Sequence, residues 1–450
     1  MKKTDKNSRI NKKILESKKV IREEKLKIKE EKRNLRKNRF NKFKSTKIGK
    51  LFLIFKDDKN SYSFSELFVV TLVSLVVGAL ACLSVVTIFT GGRNYFKLSK
   101  ELDKFYDVYE TLVDNYYDEV DKEELVENAI DGMVSSVGDV YTSYTDTDGV
   151  DEFNELVGGV YEGIGCTIQL QEVGVKVIEV FEDSPSDKAG LKVDDIIIKV
   201  DDIDVNNKTS VEDLSNYIKT ESDGKIVMVV LRGEEEKILN LKRDKVETPV
   251  VSTTIYEKND KKIGYMAITL FSSVASKQFK EKLEDLEKND IDGLVIDVRG
   301  NNGGYLSTVS DIVSQVLPKG KVIYQVERDE KRTSTTDKTA TKREYPIAVL
   351  VNNGSASASE ILAAAFKESY KGFVVGTKTY GKGTVQQVKK LSDGSMIKYT
   401  VENWLTPDGN WIDGNGIEPT DLVELSEEYV KNPIVDNDNQ LQKAIELVSK

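Results

Sequence analysis

A long uncharged segment divides this chain of 450 residues and constrains what can form on either side of it. No charged residue lies between Glu66 and Arg93, and Leu67–Phe89 reads LFVVTLVSLVVGALACLSVVTIF. As a helix this segment would be about 34 Å long, which is enough to cross the hydrocarbon core of a membrane. A helix buried in a soluble core is the alternative, but such helices are seldom apolar on every face over this length. The sequence therefore predicts a transmembrane helix.

The charges on the two sides of this segment have opposite signs. Residues 1–60 contain 23 Lys and Arg against 8 Asp and Glu, a net charge of +15, whereas the whole chain carries −10. Because basic residues beside a membrane helix stay in the cytoplasm, we expect the arm inside the cell and residues from about 93 onward outside it. Nucleic-acid binding by the arm is the alternative, but few aromatic residues lie between its charges. We therefore expect membrane lipid around Leu67–Phe89 as a partner and no nucleic acid.

The chain contains no histidine, and this excludes several kinds of catalytic site. A Ser–His–Asp triad, a Cys–His dyad and a histidine-based zinc site all need an imidazole. The two cysteines, Cys82 and Cys166, are too few for a zinc ribbon or a disulfide framework. Catalysis would have to use Ser, Thr, Lys, carboxylate, amide or backbone groups, and no metal or organic cofactor is implied.

The outer part of the chain divides into three units by its hydrophobic pattern. Residues 97–138 carry apolar residues at helical spacing and predict two or three helices, which a turn at 138–144 closes. A second unit runs from about 151 to 243, with a predicted strand at 175–180 and a short helix at 211–217. A third unit, from about 250 to 425, alternates strands and helices, which is typical of a layered α/β core. Its polar stretch at 327–344 predicts an exposed loop.

Two segments of the second unit closely resemble a PDZ domain: YEGIGCTI at 161–168 and SPSDKAGLKVDDIIIKV at 184–200. Glycines let a backbone approach an anion with no Cβ in the way. The resemblance implies that amides at Gly163, Ile164 and Gly165 bind the terminal carboxylate of a peptide that adds to the sheet as a strand. A plain β-hairpin turn is the alternative.

A turn of small residues follows a predicted strand of the third unit and opens a helix, in NNGSASASEILA at 352–363. Such a turn exposes a side chain at a helix N-terminus, where free N–H groups gather. A serine in the turn is a candidate nucleophile, and the next amide is a candidate donor to an oxyanion. An ordinary N-cap serine is the alternative. Glu360 is interpreted as a first-turn carboxylate rather than a catalytic acid.

A lysine flanked by glycines follows in TYGKGTVQQ at 379–387. If Lys382 is poorly hydrated, its pKa falls and it can act as a base toward a hydroxyl. A solvated turn lysine is one alternative. A P-loop is another, since residues 376–382 match GxxxxGK, but that motif needs Ser or Thr directly after the lysine and then a helix. This chain has Gly383 there, and a β-like segment follows.

A further glycine-rich turn lies in IDVRGNNGGYL at 296–306, where a predicted strand meets a helix. It is interpreted either as a tight connection or as the source of a second oxyanion donor. In this order, the four segments resemble those of the carboxyl-terminal processing peptidases, also called tail-specific proteases. These are PDZ-containing serine proteases that use a serine–lysine dyad, and the resemblance covers about residues 98–425.

The resemblance implies a role for individual residues of this chain. Ser357, the middle serine of SASAS, would be the nucleophile, and Lys382 would be the general base. Gln386 would orient or hold that lysine. The oxyanion hole would be formed by backbone amides, namely those of Ala358 and of Gly303 or Gly304. Asn302 stands where the family often has proline.

The sequence thus predicts a multidomain α+β protein with an N-terminal transmembrane helix and a β-rich PDZ domain that precedes a layered α/β peptidase core resembling the ClpP/crotonase-like fold. The expected parts are a basic cytoplasmic arm at 1–65, a transmembrane helix at 66–91, a helical region at 97–150, the PDZ domain at 151–245, the peptidase core at 246–430 and a C-terminal helix at 431–450.

The expected activity is that of a membrane-anchored serine endopeptidase acting outside the cytoplasm. The resemblance also implies that substrate or activator C-termini bind the PDZ domain and gate the active site, and that the enzyme forms a homodimer. Two alternatives have other biochemistry. One is a non-catalytic PDZ scaffold on a degenerate peptidase fold, and the other is a nucleotide-hydrolysing membrane protein.

Overall fold

A computed structural model describes residues 23–42, 45–46, 64–89 and 100–450, apart from 222–223 and 340–342. Within the helix at 64–89, side chains are described for residues 69–82. The chain divides into two compact units, residues 1–118 and 119–450. Much of the arm predicted at 1–65 lies outside the described residues, as do residues 90–99.

The described residues of the first unit form three helices, at 23–42, Phe64–Phe89 and Lys100–Asn115. The helix Lys100–Asn115 confirms the helical spacing seen in the sequence after residue 97. Over the described residues, no helix combines the length and the apolar character that crossing a membrane requires.

The described residues of the second unit form nineteen strands, most of them short. In chain order they are β1 (Ser143–Thr145), β2 (Val160–Gly163), β3 (Cys166–Leu170), β4 (Val175–Val180), β5 (Ile196–Val200), β6 (Ile203–Asp204), β7 (Lys225–Arg232), β8 (Glu235–Lys242), β9 (Asp244–Glu247), β10 (Val251–Lys258), β11 (Lys261–Ile268), β12 (Gly293–Asp297), β13 (Val322–Arg328), β14 (Lys331–Thr336), β15 (Ile347–Val351), β16 (Phe373–Gly376), β17 (Thr384–Lys390), β18 (Met396–Leu405) and β19 (Asp421–Leu422).

The helices of this unit cover the sheets or connect the strands. The α-helices are Lys122–Ser135, Thr147–Gly158, Pro185–Lys188, Val211–Asn216, Ala275–Lys288, Leu306–Ser314, Ala358–Ala364, Glu427–Lys431 and Asn439–Val448. Two of them continue as π-helical turns, at Tyr217–Glu221 and Ala365–Tyr370, and a 3₁₀ turn lies at Val435–Asn437.

The PDZ unit is an antiparallel sheet in the order β3-β4-β5-β7-β8, with β6 paired to β5. Alternate side chains enter one small core, in which Val177 of β4 and Met228 of β7 are fully buried. Leu214 of the helix Val211–Asn216 packs on the same core. That helix begins at Ser210, whose hydroxyl accepts a hydrogen bond from the third amide after it. Strand β4 has the bounds predicted for it.

The predicted peptidase core is built on a six-stranded sheet in the order β10-β11-β12-β15-β16-β19, parallel except between β10 and β11. Every residue of β12 and β15 is buried, as expected for strands covered on both faces. Ile296 packs on the side of the helices Ala275–Lys288 and Leu306–Ser314, and Val295 packs on the side of the C-terminal helix Asn439–Val448. Strands β12 and β15 end at the same sheet edge, so their glycine-rich and serine-rich turns meet there.

A second sheet has the order β1-β18-β13-β14, with β17 also paired to β18. It shows that the exposed loop predicted at 327–344 is wrong over residues 327–336, because β14 returns along β13 as an antiparallel hairpin. Asp329 and Glu330 form the turn with positive φ angles of 51° and 63°. The first four residues of β14 are exposed. An edge strand with polar residues on both faces lacks the alternating apolar pattern by which a strand is recognised.

Strand β1 places part of the predicted helical region, 97–150, against the second sheet. It pairs with β18 so that Ser143 lies opposite Lys398 and Thr145 lies opposite Met396. Strand β1 therefore begins inside the turn expected at 138–144, at Ser143. Residues 139–145 lie beside the strand that carries Lys398, although more than 250 residues separate them in sequence.

Candidate active site

The backbone at Ser357 is held in an unusual conformation between β15 and the helix Ala358–Ala364. Its φ and ψ angles are 52° and −111°, which a residue with a side chain rarely adopts. The amide of Ser357 donates to Oε2 of Glu360 at 2.8 Å, which holds the turn in this conformation. Strain of this kind persists where the surrounding structure imposes it, and it is frequent at active sites.

The three serines of the SASAS turn have different surroundings. The Ser355 hydroxyl donates to the carbonyl of Val298 at 2.7 Å, and the Ser359 hydroxyl donates to the carbonyl of Asn301 at 2.8 Å. Both are buried and attach the turn to the loop after β12. Ser357 instead lines a cavity of about 230 Å³. Of the three, Ser357 is the one on the cavity wall, which makes it the candidate nucleophile.

Lys382 lines the same cavity, on the loop that precedes β17. Burial lowers the pKa of Lys382 below its ordinary value, and the nearby charge of Lys398 lowers it further, against the opposing charges of Asp139 and Glu360. Its carbonyl accepts the indole N–H of Trp404 at 2.9 Å, which anchors the loop. A lysine that loses its proton more readily is suited to act as a base.

The ammonium group of Lys382 does not hydrogen-bond to Ser357 in the described structure. Nζ lies instead 4.4 Å from the centre of the Tyr141 ring, a cation–π distance. Catalytic hydrogen bonds are often long in the absence of substrate and tighten when it binds. The structure therefore brings the two predicted residues to one cavity without joining them.

A buried carboxylate connects the serine turn to the lysine loop. Glu360 is fully buried and accepts four hydrogen bonds, from the amides of Ser357, Gly381 and Lys382 and from the hydroxyl of Thr379, at 2.6–2.9 Å. Burial raises the pKa of Glu360, and these donors oppose the rise. It lies in the first helical turn, as predicted, but sequence reasoning missed its second role as the link between both loops. Its position three residues after Ser357 was the available signal.

The two glycines proposed for the oxyanion hole differ in the structure. The Gly303 amide donates to Oδ1 of Asn301 at 2.8 Å, so it is already used. Gly304 lines the cavity together with Ala358. The Ala358 amide lies in the first turn of its helix, where the helix itself provides no acceptor. Gly304 and Ala358 are thus the two candidate oxyanion donors that lie on the cavity wall.

Gln386 lines the cavity but does not contact Lys382 by a hydrogen bond in the described structure. Its side-chain N–H group donates to the hydroxyls of Thr384 at 2.9 Å and Thr400 at 3.2 Å. The predicted hold on the lysine is therefore not formed here. Sequence reasoning also missed Asp139 and Tyr141, because nothing in a sequence connects residues so far apart.

The remaining wall of the cavity beside Ser357 is largely apolar, which suits the binding of an apolar group. It includes Phe153, Val157, Leu306, Ile361, Val385, Val388 and Trp404. Asn302 and Lys398 add polar groups. Among the residues described, no three His, Cys, Asp or Glu side chains converge as a metal site would require.

The P-loop alternative is wrong on structural grounds. Lys382 is followed by Gly383, whose amide donates to Oδ1 of Asp413 at 3.1 Å, and then by strand β17. A phosphate-binding loop needs a helix N-terminus at this point.

A larger cavity of about 540 Å³ lies at the predicted carboxylate-binding loop of the PDZ unit. Gly163 and Ile164 line it, followed by Cys166 of β3 and by Lys219. Gly165 has a φ angle of 77° and is not part of the lining. Lys219 forms an ion pair with Glu155 at 2.8 Å beside the cavity. The loop and strand β3 thus border one cavity.

Comparison with known proteins shows which family this chain resembles. The model of peptidase family S41 matches residues 262–423, and a PDZ domain model matches residues 176–232. The carboxy-terminal processing protease CtpB of Bacillus subtilis (strain 168) is 38% identical over 343 residues, which cover 74% of this chain and 70% of that protein. The chain belongs to peptidase family S41. It is therefore a serine-type peptidase with a PDZ domain.

Further similarities extend beyond the residues of this S41 peptidase that these two models match. The carboxy-terminal processing protease CtpA of the same Bacillus strain is 35% identical over 385 residues, covering 83% of this chain and 80% of that protein. A model described as the N-terminal domain of activating protease CtpB matches residues 85–149. Among solved structures, the photosystem II D1 C-terminal processing protease is 26% identical, with a TM-score of 0.43 over 73% of this chain and 94% of that one.

Proposed function

We propose that this S41 peptidase cleaves peptide bonds with Ser357 as nucleophile and neutral Lys382 as general base. The observation that carries the proposal is that the three serines of the SASAS turn have different surroundings. The hydroxyls of Ser355 and Ser359 are bound to backbone carbonyls, and Ser357 lines the cavity that Lys382 also lines. The lowered pKa of Lys382 supports a base that is neutral in a larger fraction of molecules near neutral pH.

In the proposed reaction, Oγ of Ser357 attacks the carbonyl carbon of the scissile bond and its proton passes to Nζ of Lys382. The amides of Ala358 and Gly304 donate to the oxyanion. The intermediate collapses, the bond to nitrogen breaks, and Lys382 returns the proton to the departing amine. Water then attacks the acyl group with Lys382 as base, which releases the second product and restores Ser357. Nζ has to move from the Tyr141 ring toward Ser357 before the first step.

We further propose that the PDZ domain binds the C-terminus of a substrate or activator. Support comes from the cavity at Gly163 and Ile164, whose lining continues along β3. A peptide added along β3 would bring its carboxylate to that loop. Processing near a carboxyl terminus, which the names of the Bacillus relatives state for those proteins, fits a peptidase that binds chain ends.

We also propose a membrane anchor at Leu67–Phe89, with the arm in the cytoplasm and the peptidase outside. The support comes from the sequence alone: the uncharged segment between Glu66 and Arg93 and the excess of 23 basic over 8 acidic residues in the first 60. Fractionation of cells that express the full chain, with and without residues 67–89, tests the anchor. Recovery of both forms in the soluble fraction would refute it.

The catalytic proposal is tested with the full chain in mild detergent and an unfolded protein substrate whose last residues are apolar. We expect cleavage by the wild type and loss of nearly all cleavage in Ser357→Ala and in Lys382→Ala, because such groups act as a unit. Ser307→Ala and Lys389→Ala replace exposed residues of the same types and serve as matched controls. Full cleavage by Ser357→Ala would refute the proposal.

A further inference from the structure

The segment 139–142 reaches the active site from a distant part of the sequence. It lies between the helix Lys122–Ser135 and strand β1, which pairs with β18. Three of its residues contact groups that line or adjoin the catalytic cavity: Asp139, Tyr141 and Thr142. None of them has a role in the reaction steps proposed above.

The Asp139 carboxylate is fixed by three donors. Oδ2 accepts the hydroxyls of Thr142 at 2.5 Å and Thr400 at 2.6 Å, and Oδ1 accepts the amide of Tyr141 at 3.1 Å. Burial disfavours ionisation, but these hydrogen bonds and the charge of Lys382 outweigh it and keep the pKa of Asp139 below its ordinary value. Asp139 is therefore a charged group that three hydrogen bonds hold near Lys382.

Thr400 connects this carboxylate to Gln386. A threonine hydroxyl has one proton, and that of Thr400 is donated to Asp139. The same oxygen can then only accept from Gln386, which fixes the N–H group of the amide toward Thr400 and Thr384. Oε1 of Gln386 accepts no hydrogen bond within the described structure, so it is the end of the amide left to accept one from Lys382.

Tyr141 connects the same carboxylate to the lysine itself. Its amide is bound by Asp139, and its ring lies 4.4 Å from Nζ of Lys382. Burial raises the pKa of Tyr141 to about 12, so the ring stays uncharged as the lysine changes protonation. The charged groups that face Lys382 are Lys398 of β18, Asp139 and Glu360.

We propose that Asp139 is a positioning residue for the general base: it fixes Gln386 through Thr400, fixes Tyr141 through its amide, and adds a negative charge that faces Lys382. The inference rests on the proposed role of Lys382. It gives the segment before β1 a part in the chemistry rather than only in packing, and it explains why Gln386 is bound to threonines while Nζ rests on an aromatic ring.

The test is Asp139→Asn in the full chain, with kcat, KM and the pH profile of kcat/KM measured on a peptide substrate. Because the supports of Gln386 and Tyr141 are weakened, we expect kcat to fall about 10- to 100-fold with little change in KM. The rising limb of the profile should move to lower pH, since a carboxylate stabilises the charged form of Lys382 and its removal lowers that pKa. Loss of structure alone would reduce activity without moving the limb.

Thr400→Val separates the support of Gln386 from the effect of the Asp139 charge on Lys382. It removes the connection to Gln386 and keeps the charge of Asp139, so kcat should fall while the limb stays in place. Asp139→Glu keeps the charge and should leave the limb closer to the wild-type position than Asp139→Asn does. Asp393→Asn is the matched control, since that carboxylate likewise accepts local hydrogen bonds, in its case two, from the amide and hydroxyl of Ser395 in the turn before β18.

A folded Asp139→Asn variant with wild-type kcat and an unshifted rising limb of the pH profile would overturn the inference. Equal losses of kcat in Asp139→Asn and Asp393→Asn would also overturn it. If Asp139→Asn does not fold, as judged by circular dichroism and thermal unfolding, Thr400→Val decides: reduced kcat supports the inference and unchanged kcat overturns it. Failure of the proposed serine–lysine mechanism is distinguishable from failure of the Asp139 inference, because Ser357→Ala would keep its activity only in the first case.

Discussion

Replacing Gly303 by alanine should displace Ser357, the proposed nucleophile, without substituting it. Gly303 has a φ angle of 110°, and a Cβ placed there would lie 2.9 Å from Cβ of Ser357, 3.0 Å from the carbonyl oxygen of Ala356 and 3.1 Å from the amide of Ala358. The serine turn would have to move. Since a displacement of about 1 Å in an active site can cost about 100-fold, we expect kcat to fall by roughly that factor.

Gly300→Ala is the matched control, because it lies in the same loop. Its φ angle is 71°, also left-handed, but a Cβ there would meet no atom within 4 Å. It should cost about 1–2 kcal/mol of unfolding free energy from backbone strain alone. Gly303→Ala adds overpacking of about 1–3 kcal/mol to a comparable strain.

The assay combines urea unfolding with steady-state hydrolysis of one peptide by both variants and the wild type. Gly300→Ala should show reduced stability with near wild-type kcat below the unfolding transition. Gly303→Ala should show the larger loss of stability together with the loss of kcat. Equal kcat in the two folded variants would refute the claim that the glycine-rich turn shapes the nucleophile.

Two further perturbations test the electrostatics and the anchoring of the same motifs. Lys398→Met removes the like charge that helps lower the pKa of Lys382, so that pKa should rise and the rising limb of the kcat/KM profile should move to higher pH. The control Lys389→Met, at an exposed lysine, should leave the limb in place. An unmoved limb in Lys398→Met would contradict the contribution of Lys398 to the pKa of Lys382. Arg299→Leu removes the guanidinium whose nitrogen lies 2.6 Å from the buried carboxylate of Asp297 and 2.8 Å from that of Asp438. We expect the free energy of unfolding, measured by chemical denaturation, to fall by about 3–5 kcal/mol. A fall below about 1 kcal/mol would show that the ion pair between Arg299 and Asp438 does not hold the C-terminal helix.

Much of the fold was predictable where burial imposes a simple pattern. Strands β12 and β15 are continuous apolar runs, because helices cover both faces of the sheet. The PDZ unit was predictable for a different reason, since its glycine loop and its second segment have specific residues at specific spacing. Strand β14 was missed because an exposed polar edge strand has no such pattern.

The site was predictable at the level of residue types and less so at the level of contacts. A turn of small residues before a helix indicated a serine, and a lysine between glycines indicated a base. Which glycine amide stays available depends on Asn301, whose side chain accepts from Gly303. The stacking of Lys382 on Tyr141 and the bond from Thr400 to Asp139 depend on how β1 pairs with β18, and only the folded chain determines that pairing.

The most direct test of the central claim is covalent labelling of the full chain with a fluorophosphonate, followed by mass spectrometry of its peptides. Such reagents phosphonylate a serine whose hydroxyl is activated by a base. We expect one label on Ser357, no label in Ser357→Ala, and strongly reduced labelling in Lys382→Ala, with Ser307→Ala labelled like the wild type. A label on another serine, or undiminished labelling at Ser357 in Lys382→Ala, would contradict the serine–lysine assignment.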